Sequence, residues 1–243
     1  MKAAMGQMQT RNREKMKIVA LGGPTSSGKT VTAKSLSRVL PRTKLIHLDD
    51  FYLPDKDIPV EETTQERNWD CAGAIDFDRF KECLKEVRNG NLETLHDSYQ
   101  GEVDMTLSRE QNHELENKVD KALGDQLIVI VDGFMLFHDE ELCQFFDLKI
   151  FFHAQYETLK KRRESRKGYS TVEGFWVDPP HYFDQIVWPE YAKSHGKLFD
   201  AWDPNRELSC YALHNLRLHE IKSDNLGLYD MVRQTIEYLN ENT

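Results

Sequence analysis

Eight residues near the start of the chain, Gly23-Pro24-Thr25-Ser26-Ser27-Gly28-Lys29-Thr30, fit the pattern G-x-x-x-x-G-K-[ST] at every position. Their chemistry is the binding of phosphate. Glycines let backbone N–H groups turn inward around phosphate oxygens, and a helix opening at the second glycine adds the partial positive charge of its N-terminus. In such a cradle Lys29 reaches the β- and γ-phosphates, and the Thr30 hydroxyl ligates Mg²⁺. Gly23, Thr25, Ser26, Ser27, Gly28 and Val31 complete the expected ATP contacts. Transfer of a phosphoryl group to a hydroxyl also needs a carboxylate that orients the acceptor and takes its proton. Asp49 and Asp50 directly follow the apolar run ending at Leu48, and Asp132 follows Leu127 to Val131. Asp49 is the expected base with a water-mediated metal contact, Asp132 a further metal-side acid, and Asp50 a supporting residue. A third group is basic. Residues 160 to 167 carry six basic side chains and one acidic, a local charge of +5. On a helix Arg162 and Arg166 share a face with Arg163 beside them, the arrangement of a lid whose arginines neutralise a transferring phosphoryl group.

These groups need elements to hold them. Ile18-Val19-Ala20-Leu21 reads as a buried strand stopping at Gly22-Gly23, and Val31, Ala33, Leu36 and Val39 recur at helical spacing until Pro41. Lys44 to Leu48, Leu127 to Val131, Leu148 to Phe152 and Leu216 to Ile221 are further strands. Phe77, Phe80, Leu84 and Val87 mark a helix ending at Asn89-Gly90. The polar stretch Leu107 to Leu123 is predicted as one helix, Tyr182 to Phe199 as another, and Leu228 to Leu239 as the last; residues 51 to 75 and 168 to 180 read as loops. Strands alternating with helices predict an α/β fold: a P-loop-type parallel sheet of about five strands, flanked by helices and carrying a small lid at about 160 to 180. In an open α/β sheet, ligands sit beyond the carboxyl ends of the strands, where the glycine loop and all three aspartates fall. Asn117-Lys118-Val119-Asp120 fits the N-K-x-D pattern of guanine recognition, but it lies in a polar helical stretch and precedes Asp132, so it reads as helix surface.

Composition narrows the partners. The chain has 243 residues and a net charge of −9, so with +5 on the lid segment the remainder carries −14. That balance excludes nucleic acid or an anionic membrane surface as the main partner. Small molecules remain. No apolar run approaches the ~20 residues of a membrane-spanning helix. The four cysteines form no C-x-x-C pair, which argues for a reduced, cytoplasmic protein without a zinc knuckle or disulfide framework. The first 16 residues are polar and basic and are expected to be a disordered tail before a single domain over 17 to 243, as a monomer or homodimer.

Taken together and in order, the strand–glycine loop–helix, L-I-H-L-D-D-F-Y, N-W-D, V-D-G-F-M-L-F, K-K-R-R-E-S-R-K-G-Y and F-W-V-D-P-P-H-Y-F-D segments resemble the nicotinamide riboside kinases, particularly the fungal ones. These belong to the uridine-kinase-like branch of the P-loop phosphotransferases. The resemblance implies ATP- and Mg²⁺-dependent phosphorylation of the ribose 5′-hydroxyl of nicotinamide riboside. It implies Asp49 as base, Asp50, Phe51 and Tyr52 as substrate loop, and Trp69-Asp70 as the aromatic–acid pair on the pyridine ring and ribose hydroxyls. It also implies Arg162 and Arg166 for ATP, Arg163 for substrate, Tyr169 as a second stacking aromatic and Lys222-Ser223-Asp224 beside the adenine. The chain departs from the family in an extra residue between Arg166 and Tyr169, a longer stretch before Asp178, and Asp132 where relatives often have Glu. A pyridinium between aromatic faces gains on the order of 0.5–2 kcal/mol per face. Two alternatives stand beside this reading. A uridine or cytidine kinase would grip a neutral pyrimidine by its edge, and a regulatory ATP-binding module would transfer nothing.

Overall fold

The computed structural model describes residues 16–92, 106–170 and 174–243. The β-rich apolar runs form β1 (Met16–Gly22), β2 (Thr43–His47), β3 (Leu127–Gly133), β4 (Leu148–His153) and, near the C-terminus, β7 (His219–Lys222). They pair in parallel in the order β2-β3-β1-β4-β7. Met16 already pairs with Leu127, so the first strand begins one residue inside the expected tail; the rest of that tail lies outside the described residues.

Alternation along the strands sorts the core into two layers, as the period of two requires. Ile18, Ala20, Val129, Val131 and Phe151 face one side, where Phe80, Leu84 and Val87 of α2 (Phe77–Arg88) cover them. Val19, Leu21, Ile128, Ile130, Ile150 and Phe152 face the other, against α1 (Lys29–Val39) and the C-terminal helix α8 (Leu228–Asn242). The Asp76 side chain caps α2 by accepting from Arg79 N–H at 3.0 Å.

The polar stretch expected as one helix is two: α3 (Arg109–Glu116) and α4 (Lys121–Asp125). Ser108 and Gln111 start α3 with a reciprocal capping box. The break falls on the N-K-x-D segment, with Asn117 ending α3 and Asp120 preceding α4, so that segment is a turn rather than a helix face. After α5 (Glu140–Cys143) and β4 comes the basic helix α6 (Tyr156–Glu164). The loop beyond it contains a short antiparallel hairpin, β5 (Tyr169–Ser170) with β6 (Phe175–Trp176). The predicted helix over 182 to 199 opens as a π turn, Phe183–Val187, and continues as α7 (Trp188–His195), with Pro189 in its first turn. Among the described residues no helix is long and apolar enough to cross a membrane.

Candidate active site

The cradle forms where β1 meets α1. Gly23 has φ +141°, and a Cβ there would fall on the Phe152 carbonyl oxygen of the adjacent β4, so a side chain is excluded by both torsion and space. The loop curls through Ser26 at φ 61° and Gly28 at φ 97° before α1 begins at Lys29. Thr25 and Val31 are partly buried on either side of the turn. Lys29 folds back over the loop, its Nζ 3.5 Å from the Pro24 carbonyl oxygen, and is only 9% exposed. Burial pulls its pKa down, with Asp132 and Asp49 opposing. It makes no ion pair among the described residues. The buried Ser26 and Ser27 hydroxyls also lack hydrogen-bond partners. Unpaired buried donors around an ammonium make a site complementary to an anion.

The acids stand at the strand ends facing this loop. Asp49 sits in a 3₁₀ turn, Leu48–Phe51, that follows β2 directly. It opens into the cleft, yet the surrounding protein lifts its carboxyl above the ordinary value, with Lys29 opposing and Asp132 reinforcing. Asp132 is buried at the end of β3 and accepts from His47 Nδ1 at 2.9 Å. Burial alone would raise its pKa, but His47, Lys29 and the Thr30 hydroxyl bring it below the usual value, so the carboxylate stays ionised. Among the described residues no cluster of three or more His, Cys, Asp or Glu could cage a metal ion. Mg²⁺ at a phosphate site takes only one or two protein oxygens beside waters and phosphate oxygens. An ionised acid with a buried, unpartnered Oδ1 beside Thr30 fits such an ion, and Thr30, Asp49 and Asp132 are the residues that would hold it.

On the other side of the cleft, side chains from distant segments meet. Asp70 and Arg163 form a buried bidentate pair, Nη1–Oδ1 2.9 Å and Nη2–Oδ2 3.1 Å. Asp178 grips the same guanidinium through Nε at 2.6 Å and Nη2 at 3.2 Å, and itself accepts from Trp176 Nε1 at 2.9 Å. Burial works against the Arg163 charge, and the two carboxylates more than restore it. Trp69 is buried, edge-on to Tyr52 at 5.5 Å and tilted against Trp176 at 5.9 Å between centroids. The Arg163 and Arg166 guanidinium groups lie 5.1 and 5.3 Å from the Tyr169 ring centroid. Trp69 Nε1 and the Tyr169 hydroxyl are buried without partners. A narrow cavity lined in part by Thr25, Asp70 and Phe134 links this half to the cradle.

Other expected residues lie apart from the cleft floor. Phe51 turns into the core, edge-on to Phe80 at 5.0 Å. The Asp50 carbonyl accepts from Arg79 at 2.6 Å, and the Tyr52 hydroxyl donates to the Trp69 carbonyl at 3.0 Å. Arg162 donates to three carbonyls, those of Ser26 (3.4 Å), Ser223 (2.8 Å) and Asp224 (3.1 Å), so it straps the cradle to the loop after β7. Ser223 N–H bonds the His153 carbonyl at 2.7 Å, the Asp224 carboxylate receives Gln155 N–H at 2.9 Å, and Lys222 pairs with Glu207. Arg166 is exposed but close enough to Lys29 to depress its pKa. Sequence reasoning missed Asp178, Trp176 and His47. The D-P-P run beside a lid was the one available hint for the first two, and for His47 its place just before the acid pair.

Fold and site together define the class: a P-loop phosphotransferase of the kinase type. Residues 18–172 match the phosphoribulokinase / uridine kinase family. The chain is 42% identical to the nicotinamide riboside kinase of Saccharomyces cerevisiae, over 76% of its own length and 80% of that protein's. It is 35% identical to the nicotinamide riboside kinase of Schizosaccharomyces pombe over 79% and 84%, and 28% identical to human nicotinamide riboside kinase 1 over 76% and 80%. The chain therefore belongs to the phosphoribulokinase / uridine kinase family, and within it to the group of nicotinamide riboside kinases.

Proposed function

We propose that the protein transfers the γ-phosphoryl group of ATP to the ribose 5′-hydroxyl of nicotinamide riboside, giving nicotinamide mononucleotide and ADP. The observation that carries the reading is the pairing of two unlike half-sites across one cleft. One is a cradle of unpaired donors around Lys29. The other is a preformed Asp70–Arg163 pair walled by Trp69 and Tyr169. Identities of 35–42% to fungal nicotinamide riboside kinases support the choice of riboside.

In this reading the cradle backbone and Lys29 hold the phosphates, and Arg166, reaching over from the lid, neutralises charge as it spreads over the transferring group. Asp49 orients the 5′-hydroxyl and accepts its proton; its raised pKa makes the carboxylate the stronger base. Mg²⁺, held by Thr30, Asp49 and Asp132, would supply charge neutralisation between the phosphates. Asp70 and Arg163 address the ribose hydroxyls. Arg162 serves ATP indirectly, fixing the loop at Lys222, Ser223 and Asp224 against the cradle.

The ring site requires the lid to move. A ring stacked between two others needs about 7 Å between the outer ones, twice a van der Waals contact, and Trp69 lies 5.9 Å from Trp176. Outward motion of the β5–β6 hairpin admits the pyridinium to the face of Trp69. Gly168, at φ +139°, leads into the hairpin, and any Cβ there would strike the Phe175 ring and the Trp176 carbonyl. We place the protein in the cytoplasm, as a single P-loop domain with this lid.

The test is ADP release with Mg·ATP and each riboside in turn. Nicotinamide riboside should drive turnover and uridine should not, and Asp49→Asn should abolish transfer while ADP still binds. Rapid turnover with uridine alone would overturn the assignment.

A further inference from the structure

His47 is the last residue of β2, and the parallel register sets it opposite Asp132 at the end of β3. The two side chains are buried, 5% and 4% exposed, and meet through Nδ1 and Oδ2 at 2.9 Å. Their outer atoms, His47 Nε2 and Asp132 Oδ1, are buried and have no hydrogen-bond partner. A carboxylate oxygen accepts, so in this contact His47 Nδ1 donates. A lone aspartate has two free side-chain torsions; a carboxylate fixed at Oδ2 has its Oδ1 direction fixed as well. The register also sets Asp132 opposite Leu21, two residues before the Gly23 that opens the cradle, so this acid stands on the phosphate side. His47 lies two residues before Asp49, and the chain between them goes straight into the 3₁₀ turn. One hydrogen bond therefore ties the ends of two strands, each carrying an acid of the transfer site.

We propose that His47 is a positioning residue for phosphoryl transfer, clamping Asp132 so that Oδ1 faces the metal–phosphate side and holding the strand end that bears Asp49 in register with it. This rests on the kinase reading of the cleft, but not on which riboside is used. Residues that orient a metal-side ligand through one hydrogen bond typically matter 10–100-fold in metal affinity or activity.

The test is binding first, then rate. ADP affinity is measured by calorimetry in Mg²⁺ and in EDTA for the full chain, for His47→Leu, for His47→Asn (whose amide N–H₂ can replace the Nδ1 donor), for Asp132→Asn, and for the double variant His47→Leu/Asp132→Asn. We expect His47→Leu to keep the EDTA affinity, to lose about tenfold of the Mg²⁺-dependent gain, and to lower kcat roughly 10–100-fold with little change in the riboside KM. His47→Asn should recover most of both. The double variant should be no worse than Asp132→Asn, because the two residues act as one unit. An unchanged Mg²⁺-dependent gain in His47→Leu would overturn the proposal. So would a double variant whose loss is the product of the single losses; should His47→Leu fail to fold, a Mg²⁺-dependent gain in His47→Asn as low as in Asp132→Asn would overturn it instead. Absence of ADP binding by the wild-type chain would instead overturn the kinase reading itself.

Discussion

The two halves of the cleft carry their charge differently. In the cradle, Lys29 is a buried cation without an ion-pair partner among the described residues, ringed by serine hydroxyls that bond nothing. Across the cleft, Arg163 is equally buried but is gripped by two carboxylates, Asp70 and Asp178, through four short contacts. One half stores an unsatisfied charge that an anion completes. The other is satisfied in advance and presents a rigid polar surface to a ligand that brings no anion. The difference matches the two substrates: a polyphosphate on one side, and a cationic riboside recognised by hydroxyls and ring on the other.

Substituting the two cations breaks or confirms that contrast, and the larger effect is expected at Arg163. Arg163→Met leaves the buried Asp70 carboxylate facing the half-buried Asp178, and losing one partner of a buried pair costs about 3–5 kcal/mol. Urea unfolding should show a loss of that order, together with failure to bind riboside. Arg163→Lys should rescue little, since an ammonium cannot make the bidentate fork. Stability within 1 kcal/mol of wild type would mean that the network is ornamental to folding.

Lys29→Met should do the reverse. It removes an unpaired buried charge and keeps the volume, so the unfolding midpoint should hold or rise. Transfer should fall about 10²–10³-fold, the loss typical of removing one preorganised donor from the transition state, roughly 2.7–4 kcal/mol. If the variant is instead destabilised as Arg163→Met is, Lys29 has a structural partner and the contrast fails.

The halves also differ in how far sequence reveals them. The cradle is eight consecutive residues doing backbone chemistry, so its spacing alone marks it, and the apolar runs before Asp49 and Asp132 mark the strands that bring these acids to it. The riboside half is made by side chains from three segments. Trp69-Asp70 and Arg163 were recognisable through resemblance, but nothing in a spacing of fifteen residues announces that Asp178 returns to Arg163. Arg162 shows the limit of charge reasoning: its place in a basic run suggested a phosphate ligand, and the fold gives it three carbonyl acceptors. His47 was invisible for another reason. Its partner is set by strand register, which local pattern does not encode. The single helix expected over 107 to 123 failed because Asn117 and Asp120, both good terminators, lie inside a pattern otherwise polar and helical.

The smallest effect, and the sharpest test of the riboside half, lies at Trp176. Its ring lies tilted against Trp69 at 5.9 Å, and its indole N–H holds Asp178 at 2.9 Å, so it closes the hairpin over the site proposed for the nicotinamide ring. An aromatic pair of this kind contributes about 0.5–1.5 kcal/mol. If the ring displaces Trp176, that contact is a cost of binding, and Trp176→Ala should lower the riboside KM several-fold, with the ADP affinity unchanged. Trp176→Phe keeps a ring over Trp69 but drops the bond to Asp178, and should fall between the two. A riboside KM that rises in Trp176→Ala would show that the indole is a wall of the occupied site rather than its cover. The Trp69 face would then be closed to substrate, leaving Tyr169 and the Arg163 network to hold the pyridinium.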